Sequence, residues 1–234
     1  MVLTRRIGQL VVGLFLYGFG IALMVRGAIG VPPWDVLSQG ISLRTGLPFG
    51  LVTNIIGAAV LLLWIPIRQK PGIGTVVNVL LIGPSAQFGL WVLPVLTDLV
   101  PRILVFALGL AVVAIATGLY IGARMGPGPR DGLMTGIHRR YGWKLWIART
   151  TVEASVLIVG WILGGNVGIG TLAFALLIGP IVNVTLPLLR VPGGATASLS
   201  PQAVEFCSEH GLALPDRLER ERDERGWSRL AGSR

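Results

Sequence analysis

The chain carries little charge and almost no cysteine or histidine. Only 13% of its 234 residues are charged, about half of the roughly 25% that is usual for soluble domains. So little polar surface cannot cover a soluble globular protein, and the 53% of hydrophobic residues excludes a disordered chain. A single cysteine, Cys207, excludes a disulfide scaffold. The two histidines, His138 and His210, have no companion ligands at metal spacing, so we expect no metal and no other cofactor.

Motifs of catalysis and of nucleic-acid binding are also missing from the sequence. It has no Gly-rich phosphate loop, no Ser/His protease signature and no metalloprotease signature, so we expect no enzymatic activity and no internal use of ATP. The net charge of +9 combines +10 from residues 1–190, where 14 basic residues face four acidic ones, with −1 from the tail. These basic residues lie in short loops between apolar segments, which is typical of membrane orientation signals. We therefore expect a lipid bilayer and no nucleic acid as partner.

The chain does contain long apolar runs, and a bilayer crossing needs about 20 such residues. Six predicted transmembrane helices cover residues 7–25, 50–67, 73–96, 103–123, 145–163 and 168–189. Two further segments, 33–41 and 129–138, begin with proline and are too short to cross. They are predicted to be short interfacial or re-entrant helices with proline at the first helical position.

Basic residues in the loops predict the orientation of these spans. One side of the membrane would hold nine of them: Arg5, Arg6, Arg68, Lys70, Arg124, Arg130, Arg139, Arg140 and Lys144. The other side would hold Arg26, Arg44 and Arg102. The positive-inside rule then places both termini in the cytoplasm of the cell.

An internal repeat becomes visible when the chain is shifted by 96 residues. Residues 30–84 then align with 126–180 without a gap, and 20 of the 55 positions are identical. Matching motifs include Gly-x-x-Pro-x-Asp-x-Leu from Gly30 and Gly126, Gly-Ile-Gly-Thr from Gly72 and Gly168, and Leu-Leu-Ile-Gly-Pro from Leu80 and Leu176. Such self-similarity indicates duplication of a structural unit.

Three spans in each unit imply that the second unit is inverted relative to the first. We therefore predict an all-α polytopic membrane protein built from two inverted three-helix repeats, each with one short helix, a design found in many secondary transporters. The predicted organisation is residues 1–97 for the first repeat, 98–190 for the second, and 191–234 for a charged cytoplasmic tail with two short helices.

The sequence resembles the YczE/YyaS/YitT-type bacterial integral membrane proteins over roughly residues 5–190. The resemblance is carried by the Arg-rich start and Gly-rich first helix, by Gly30-Val-Pro-Pro-Trp-Asp35-Val-Leu, and by the paired Leu-Ile-Gly-Pro helices. It implies a six-helix protein of the bacterial plasma membrane with a role in transport, and it brings no site residues. A bacterial source also agrees with 18 arginines against two lysines.

Two Gly-Pro pairs near the middle of the third and sixth spans are candidates for a substrate site. Proline removes an intrahelical hydrogen bond, so each helix is expected to kink or break there. Interrupted helices in corresponding places of two inverted halves point to a site at the midplane. The predicted substrate-binding residues are Gly83, Pro84, Gln87, Gly179, Pro180, Asn183 and Asn54. The alternative is that the Gly-Pro pairs bend the helices for packing and the amides bond neighbouring backbones.

Arg149 and Glu153 lie four residues apart on one face of the fifth span. An ionisable residue near the middle of a bilayer usually faces the protein interior or a wet cavity. Glu153 is therefore a candidate proton carrier, and a structural ion pair with Arg149 is the alternative. The corresponding residues of the first repeat are Thr53 and Gly57, so this pair belongs to one half only.

Asp35 and Asp131 are the third residues of the two Pro-started segments. A carboxylate in a first helical turn is stabilised by the helix dipole and the unpaired amides there, so both are candidate helix caps. The alternative is a pair of gates, each closing one face of the protein by pairing with Arg26, Arg124 or Arg130.

These features favour a secondary transporter or permease for a small molecule, with proton coupling through Glu153 as an option. The alternatives are a membrane scaffold or assembly protein that acts through its cytoplasmic loops and tail, and a lipid-handling protein. The sequence leaves the substrate and the oligomeric state open, and a homo-oligomer is compatible with it.

Overall fold

The structure, a computed structural model, describes residues 2–189, which form eight α-helices and no strands. In chain order the helices are α1 (Val2–Gly27), α2 (Pro33–Thr45), α3 (Phe49–Leu63), α4 (Ile73–Val92), α5 (Leu99–Gly122), α6 (Pro129–Tyr141), α7 (Leu145–Ile162) and α8 (Ile169–Leu189). The tail that was predicted over 191–234, with Cys207 and His210, lies outside the described residues.

Five helices, α1, α4, α5, α7 and α8, are each long and apolar enough to cross a membrane. Helices α2 and α3 meet this test only as a pair, which is bent by 119°. Helix α3 alone has 15 residues, or about 22 Å, which falls short of the roughly 30 Å of a bilayer core. The described chain therefore has five spans, or six if the bent pair is one broken span. The straight span predicted over 50–67 ends early.

Helices α2 and α6 begin at Pro33 and Pro129, as the sequence predicts, and both have 13 residues. Each ends at a glycine in the left-handed conformation, Gly46 with φ 71° and Gly142 with φ 70°. Glycine adopts this conformation without a Cβ penalty and so ends a helix cleanly. The two helices thus run three to four residues beyond the predicted segments.

Helices α1 and α5, which correspond at the shift of 96 residues, pack antiparallel. A Cβ atom on Gly13 would lie 2.9 Å from the backbone nitrogen of Tyr120, and one on Gly27 would lie 2.9 Å from the Cβ atom of Phe106. Residues nearer the C-terminal end of α1 therefore contact residues nearer the N-terminal end of α5. The glycines let the two backbones come this close, and the main hydrophobic core forms around the contact.

The two halves exchange equivalent hydrogen bonds. The Thr75 hydroxyl donates a hydrogen bond to the Pro127 carbonyl (2.7 Å). The Thr171 hydroxyl donates the equivalent bond to the Val31 carbonyl (2.8 Å). Donor and acceptor of the second bond are each shifted by 96 residues from those of the first, in opposite directions. Two backbone bonds repeat the exchange, from Gly74 to Met125 and from Gly170 to Ile29, both at 2.8 Å. Each half therefore donates to the other the same two hydrogen bonds that it accepts from it.

Gly30 and Gly126 occupy the turns that make this exchange, with φ of +119° and +126°. Residues with a side chain rarely adopt such angles. A Cβ atom at Gly30 would also lie 2.8 Å from the Thr171 hydroxyl oxygen, and one at Gly126 would lie 3.0 Å from that of Thr75. Glycine is therefore needed at both turns for conformation and for space.

The two short helices pack differently on the opposite half. Helix α2 meets α7 at Gly40 and Gly160, where a Cβ atom on Gly40 would lie 2.6 Å from the Gly160 carbonyl oxygen. The residue of the first repeat that corresponds to Gly160 is Trp64, and its ring lies against Gly132 of α6. Helix α6 therefore rests on α3 through an indole ring, while α2 rests directly on the backbone of α7.

Candidate functional site

Helices α4 and α8 continue through their Gly-Pro pairs, so the predicted break is absent from both helices as the structure describes them. In α4, Pro84 has no backbone N–H group to donate, and the side chain of Asn54 in α3 bonds to the backbone groups around this gap. Its side-chain oxygen accepts a hydrogen bond from the backbone of Gly83 (3.0 Å), and its nitrogen lies 3.5 Å from the Leu80 carbonyl, which Pro84 leaves without its helical donor. Asn54 thus compensates for the proline.

Gln87, one turn after Pro84, also bonds the neighbouring helix. Its side-chain oxygen accepts a hydrogen bond from the backbone N–H of Gly50 (3.0 Å), which is in the first turn of α3 and has no helical acceptor. A Cβ atom on Gly50 would lie 2.3 Å from the Gly83 carbonyl oxygen, so α3 and α4 are in close backbone contact here. The geometry of the first Gly-Pro pair is that of the packing interpretation.

The second Gly-Pro pair has a different environment. Gly179, Pro180 and Asn183 are exposed, and a Cβ atom on Gly179 would have no heavy atom within 4 Å. Helix α8 packs on α5, whereas α4 packs on α1 and α3. The two predicted half-sites therefore have different surroundings instead of forming one symmetric cleft.

This difference predicts opposite results for two equivalent substitutions. Gly83→Ala would place a methyl group 2.0 Å from the Asn54 side-chain oxygen. We expect a loss of about 1–3 kcal/mol in the free energy of unfolding, because α3 must move away from α4. Gly179→Ala has open space and is expected to change stability by less than about 0.5 kcal/mol. Unfolding in mixed micelles with increasing SDS, followed by circular dichroism, compares the two variants. Equal losses would contradict the assignment of the first pair to helix packing.

Asp35 and Arg130 bring the first turns of α2 and α6 together. Asp35 is 1% exposed, and one of its carboxylate oxygens lies 3.5 Å from a terminal guanidinium nitrogen of Arg130. The guanidinium carbon of Arg130 also lies 5.2 Å from the centre of the Trp34 ring, within the range of a cation–π interaction. Arg130 is thus the one of the three predicted arginine partners that the structure places beside Asp35.

Asp131 follows Arg130 and is held by a tyrosine from α5. The Tyr120 hydroxyl donates a hydrogen bond of 2.8 Å to the Asp131 carboxylate, and the ring of Tyr120 meets that of Tyr17 edge-on at 6.0 Å. Tyr17 lies in the middle of α1 and reaches this group through its ring contact with Tyr120. We call Tyr17, Asp35, Tyr120, Arg130 and Asp131 the central polar cluster.

The two aspartates of the cluster, which correspond in the two repeats, differ in exposure. Asp35 is buried, whereas Asp131 is exposed. The cluster therefore reaches the protein surface at Asp131, on the side of α6, and not at Asp35. We call the side of Asp131 the open side.

Sequence reasoning did not single out Tyr17 and Tyr120. The available signal was that two of the three tyrosines in the chain stand within apolar spans. A buried tyrosine hydroxyl requires a hydrogen-bond partner, so such a position marks a polar neighbour. The neighbour itself could not be read from sequence, because it comes from another helix.

Arg149 and Glu153 form an ion pair along α7, with Arg149 Nε 3.1 Å from a Glu153 carboxylate oxygen. The side chains are 55% and 29% exposed, so the pair lies at the edge of the described protein. Helix α7 nevertheless packs on α2 and α6, the two helices that carry Asp35, Arg130 and Asp131. The structure thus contains the ion pair that is one of the two alternatives for these residues, and the proton-carrier role stays a prediction.

Large apolar side chains on the outside of the helices identify the medium around them. Trp91 is 82% exposed, Ile169 83% and Leu188 78%. Soluble proteins rarely expose extended apolar faces, whereas membrane spans direct them at lipid. With five to six apolar spans, the fold is that of a polytopic α-helical integral membrane protein.

Within this class, the chain belongs to the family of unknown function DUF6198, whose profile matches residues 4–187. It is 36% identical over 189 residues to an uncharacterized protein of Haemophilus influenzae, which covers 80% of this chain and 87% of the relative. It is also 36% identical over 177 residues to the uncharacterized membrane protein YczE of Bacillus subtilis (75% and 82% of the two chains). Identity to the uncharacterized protein YyaS of Bacillus subtilis is 27% over 183 residues, or 76% and 91% of the two chains. The resemblance to the YczE and YyaS proteins is thereby confirmed. No solved structure matches the chain.

Proposed function

We propose that the protein is a secondary transporter that binds a small polar solute at the central polar cluster and exposes it to the two sides of the membrane in turn. One observation carries the proposal: the corresponding first turns of α2 and α6 converge on one cluster, in which Asp35 is buried and Asp131 is exposed. Charged side chains inside a membrane domain are costly and usually belong to a substrate or ion pathway. Helix N-termini directed at such a site supply further unpaired N–H groups.

The proposal includes an inverted arrangement of the two repeats. It is supported by the antiparallel packing of α1 and α5 and by the reciprocal bonds of Thr75 and Thr171. A two-fold axis perpendicular to these helices lies in the plane of the membrane that they cross. Exchange of conformation between the halves would then bury Asp131 and expose Asp35, which is the principle of alternating access.

Labelling from the two sides of the membrane tests the inversion. Leu47 and Trp143 correspond in the two repeats and are 39% and 46% exposed, in the turns after α2 and α6. In a Cys207→Ser background, single cysteines at these positions should react with a membrane-impermeant maleimide from opposite sides, with residue 143 on the cytoplasmic side. Labelling of both positions from one side would overturn the inverted arrangement.

Uptake by proteoliposomes tests the transport itself. Vesicles containing the full chain are incubated with a bacterial small-molecule extract, and their contents are compared by mass spectrometry with those of Asp131→Asn vesicles. We expect at least one polar solute to enter the wild-type vesicles at least about tenfold faster than it enters the Asp131→Asn vesicles. Each 1.4 kcal/mol of interaction that the variant loses with the solute corresponds to a factor of ten. The absence of any enriched solute would reject the transporter.

The same vesicles separate the remaining alternatives. If Glu153 carries a proton, Glu153→Gln should remove the pH dependence of solute uptake; unchanged pH dependence would leave the ion pair as its role. Movement of a fluorescent lipid between leaflets without solute uptake would favour a lipid-handling protein. A phenotype that is lost on truncation after Leu189, while the spans still insert, would favour a scaffold.

A further inference from the structure

The Arg130 guanidinium is held by the two kinds of group that proteins use to bind organic cations. A carboxylate, Asp35, lies on one side at 3.5 Å, and the face of an indole ring, Trp34, lies on another at 5.2 Å. Aromatic faces attract guanidinium and ammonium groups through the ring quadrupole, and quaternary ammonium ligands are recognised in this way. We call Trp34 and Asp35 the cation cage.

The cage is more deeply buried than the cation that occupies it. Trp34 is 6% exposed and Asp35 is 1% exposed, while the Arg130 side chain keeps 24% of its surface. An arginine bound tightly to a carboxylate makes two parallel hydrogen bonds of about 2.7–2.9 Å. The single contact of 3.5 Å is therefore loose.

Two polar atoms of the cage have no hydrogen-bond partner among the described residues. They are the Asp35 oxygen that faces Arg130 and the indole nitrogen of Trp34. Buried polar atoms in native proteins are nearly always satisfied, so such a pair on one turn requires an explanation. The Asp35 oxygen has only the long ion-pair contact with Arg130, and a carboxylate in this state beside an aromatic face is suited to another organic cation.

The repeat provides one such cage. Trp34 corresponds to Arg130, and Asp35 corresponds to Asp131, so the first half carries the aromatic ring and the second half carries the cation. Arg130 of the second half therefore links that half to Trp34 and Asp35 of the first half. Displacement of Arg130 from the cage would release this tie between α2 and α6.

We propose that the cation cage is the binding site for an organic cation, an ammonium or guanidinium compound, which enters from the open side of α6 and displaces the Arg130 side chain. This assignment rests on the proposed transport function and gives its substrate class. The formal charge of the central polar cluster is −1 with Arg130 in the cage, from Asp35 and Asp131 against one arginine. It becomes zero when a monovalent cation enters and Arg130 turns towards the open side beside Asp131.

Chemical rescue of a truncated arginine tests the cage directly. Arg130→Ala removes the occupant, and the full chain in detergent is heated with methylguanidinium chloride or tetramethylammonium chloride at about 10 mM. Urea, which has the shape of guanidinium without its charge, and sodium chloride are the matched solutes. We expect the two cations to raise the Tm of Arg130→Ala by at least about 3 °C over urea and salt. The wild-type protein should need a roughly tenfold higher concentration, because its own arginine competes.

The double variant Asp35→Asn/Arg130→Ala is the control, since it lacks the carboxylate and should show no cation-specific rise. Should Arg130→Ala fail to fold, Arg130→Gln, which keeps a polar side chain of similar length, is used in the same assay. No rise with either cation in a folded variant, or an equal rise in the double variant, overturns the cage. A rise with methylguanidinium alone would restrict the substrate to guanidinium compounds, and a rise with both includes quaternary ammonium.

Because this assay measures binding without transport, it can fail independently of the proposed function. Loss of cation binding removes the substrate class and leaves transport to be judged by uptake. Cation binding without uptake of any cation into proteoliposomes overturns the transporter and leaves the cage as a binding site.

Discussion

Arg130→Ala is expected to lower the free energy of unfolding by about 3–5 kcal/mol, more than Asp35→Asn lowers it. The arginine variant leaves a carboxylate that is 1% exposed without its cation. Asp35→Asn leaves a guanidinium whose side chain is 24% exposed and can be hydrated, so a loss of about 1–2 kcal/mol is expected. The measurement is SDS-induced unfolding in mixed micelles, followed by circular dichroism.

The double variant and a second ion pair complete this experiment. Arg130→Ala/Asp35→Asn should be more stable than Arg130→Ala alone, with a coupling energy of about 1–3 kcal/mol. Arg149→Ala, which breaks an exposed pair, should cost less than about 1 kcal/mol. Equal losses from the two single variants, with additive effects in the double variant, would refute the contact between α2 and α6.

Trp64→Ala is expected to lower the free energy of unfolding by about 3–5 kcal/mol. Trp64 is 1% exposed, fills the space between α3 and α6, and donates a hydrogen bond of 3.0 Å from its indole nitrogen to the Pro129 carbonyl. The alanine variant leaves a cavity and removes the side-chain hydrogen bond to Pro129, at the start of the helix that carries Arg130 and Asp131. Trp64→Phe keeps most of the volume and should cost about 1–2 kcal/mol.

Trp146→Ala is the matched control for Trp64, because its side chain is 65% exposed on α7. In the same experiment, Trp146→Ala should lower the free energy of unfolding by less than about 1 kcal/mol. Trp64→Ala should also weaken any binding at the central polar cluster, since α6 is no longer held at Pro129. A Trp64→Ala variant as stable as Trp146→Ala would show that α6 does not depend on this ring.

The sequence determined the class of protein, most of the helices and the repeat. Apolar runs of about 20 residues have one stable solution in a bilayer, the helix that satisfies its own backbone, and this holds whatever its neighbours are. The starts at Pro33 and Pro129 are equally local, because proline lacks the N–H group that a first helical turn leaves unpaired. The ends at Gly46 and Gly142 lie beyond the segments predicted from sequence. The end of α3 was predicted less accurately: the sequence predicts one span over 50–67, whereas α3 ends at Leu63 and meets the length of a span only together with α2, at a bend.

Tertiary structure alone decided which of the polar residues meet. Sequence reasoning left Asn54 and Gln87 as either substrate ligands or amides that bond neighbouring backbones, and the structure gives both of them backbone partners across α3 and α4. It ranked Asp35 and Asp131 as caps or gates and did not place Trp34, Tyr17 or Tyr120 beside them. These contacts join residues 11 to 103 positions apart, and a pattern with a period of 3.6 residues carries no information about such distances.

For the few charged residues, too, sequence determined one property and tertiary structure determined another. Sequence alone required that the few charged side chains within the spans have partners, because an isolated charge in a bilayer is too costly. Which charge pairs with which depended on packing: Gly160 lets α2 lie against α7, and Trp64 holds α6 on α3. These two contacts, both between the repeats, bring the guanidinium of one half to the buried carboxylate of the other.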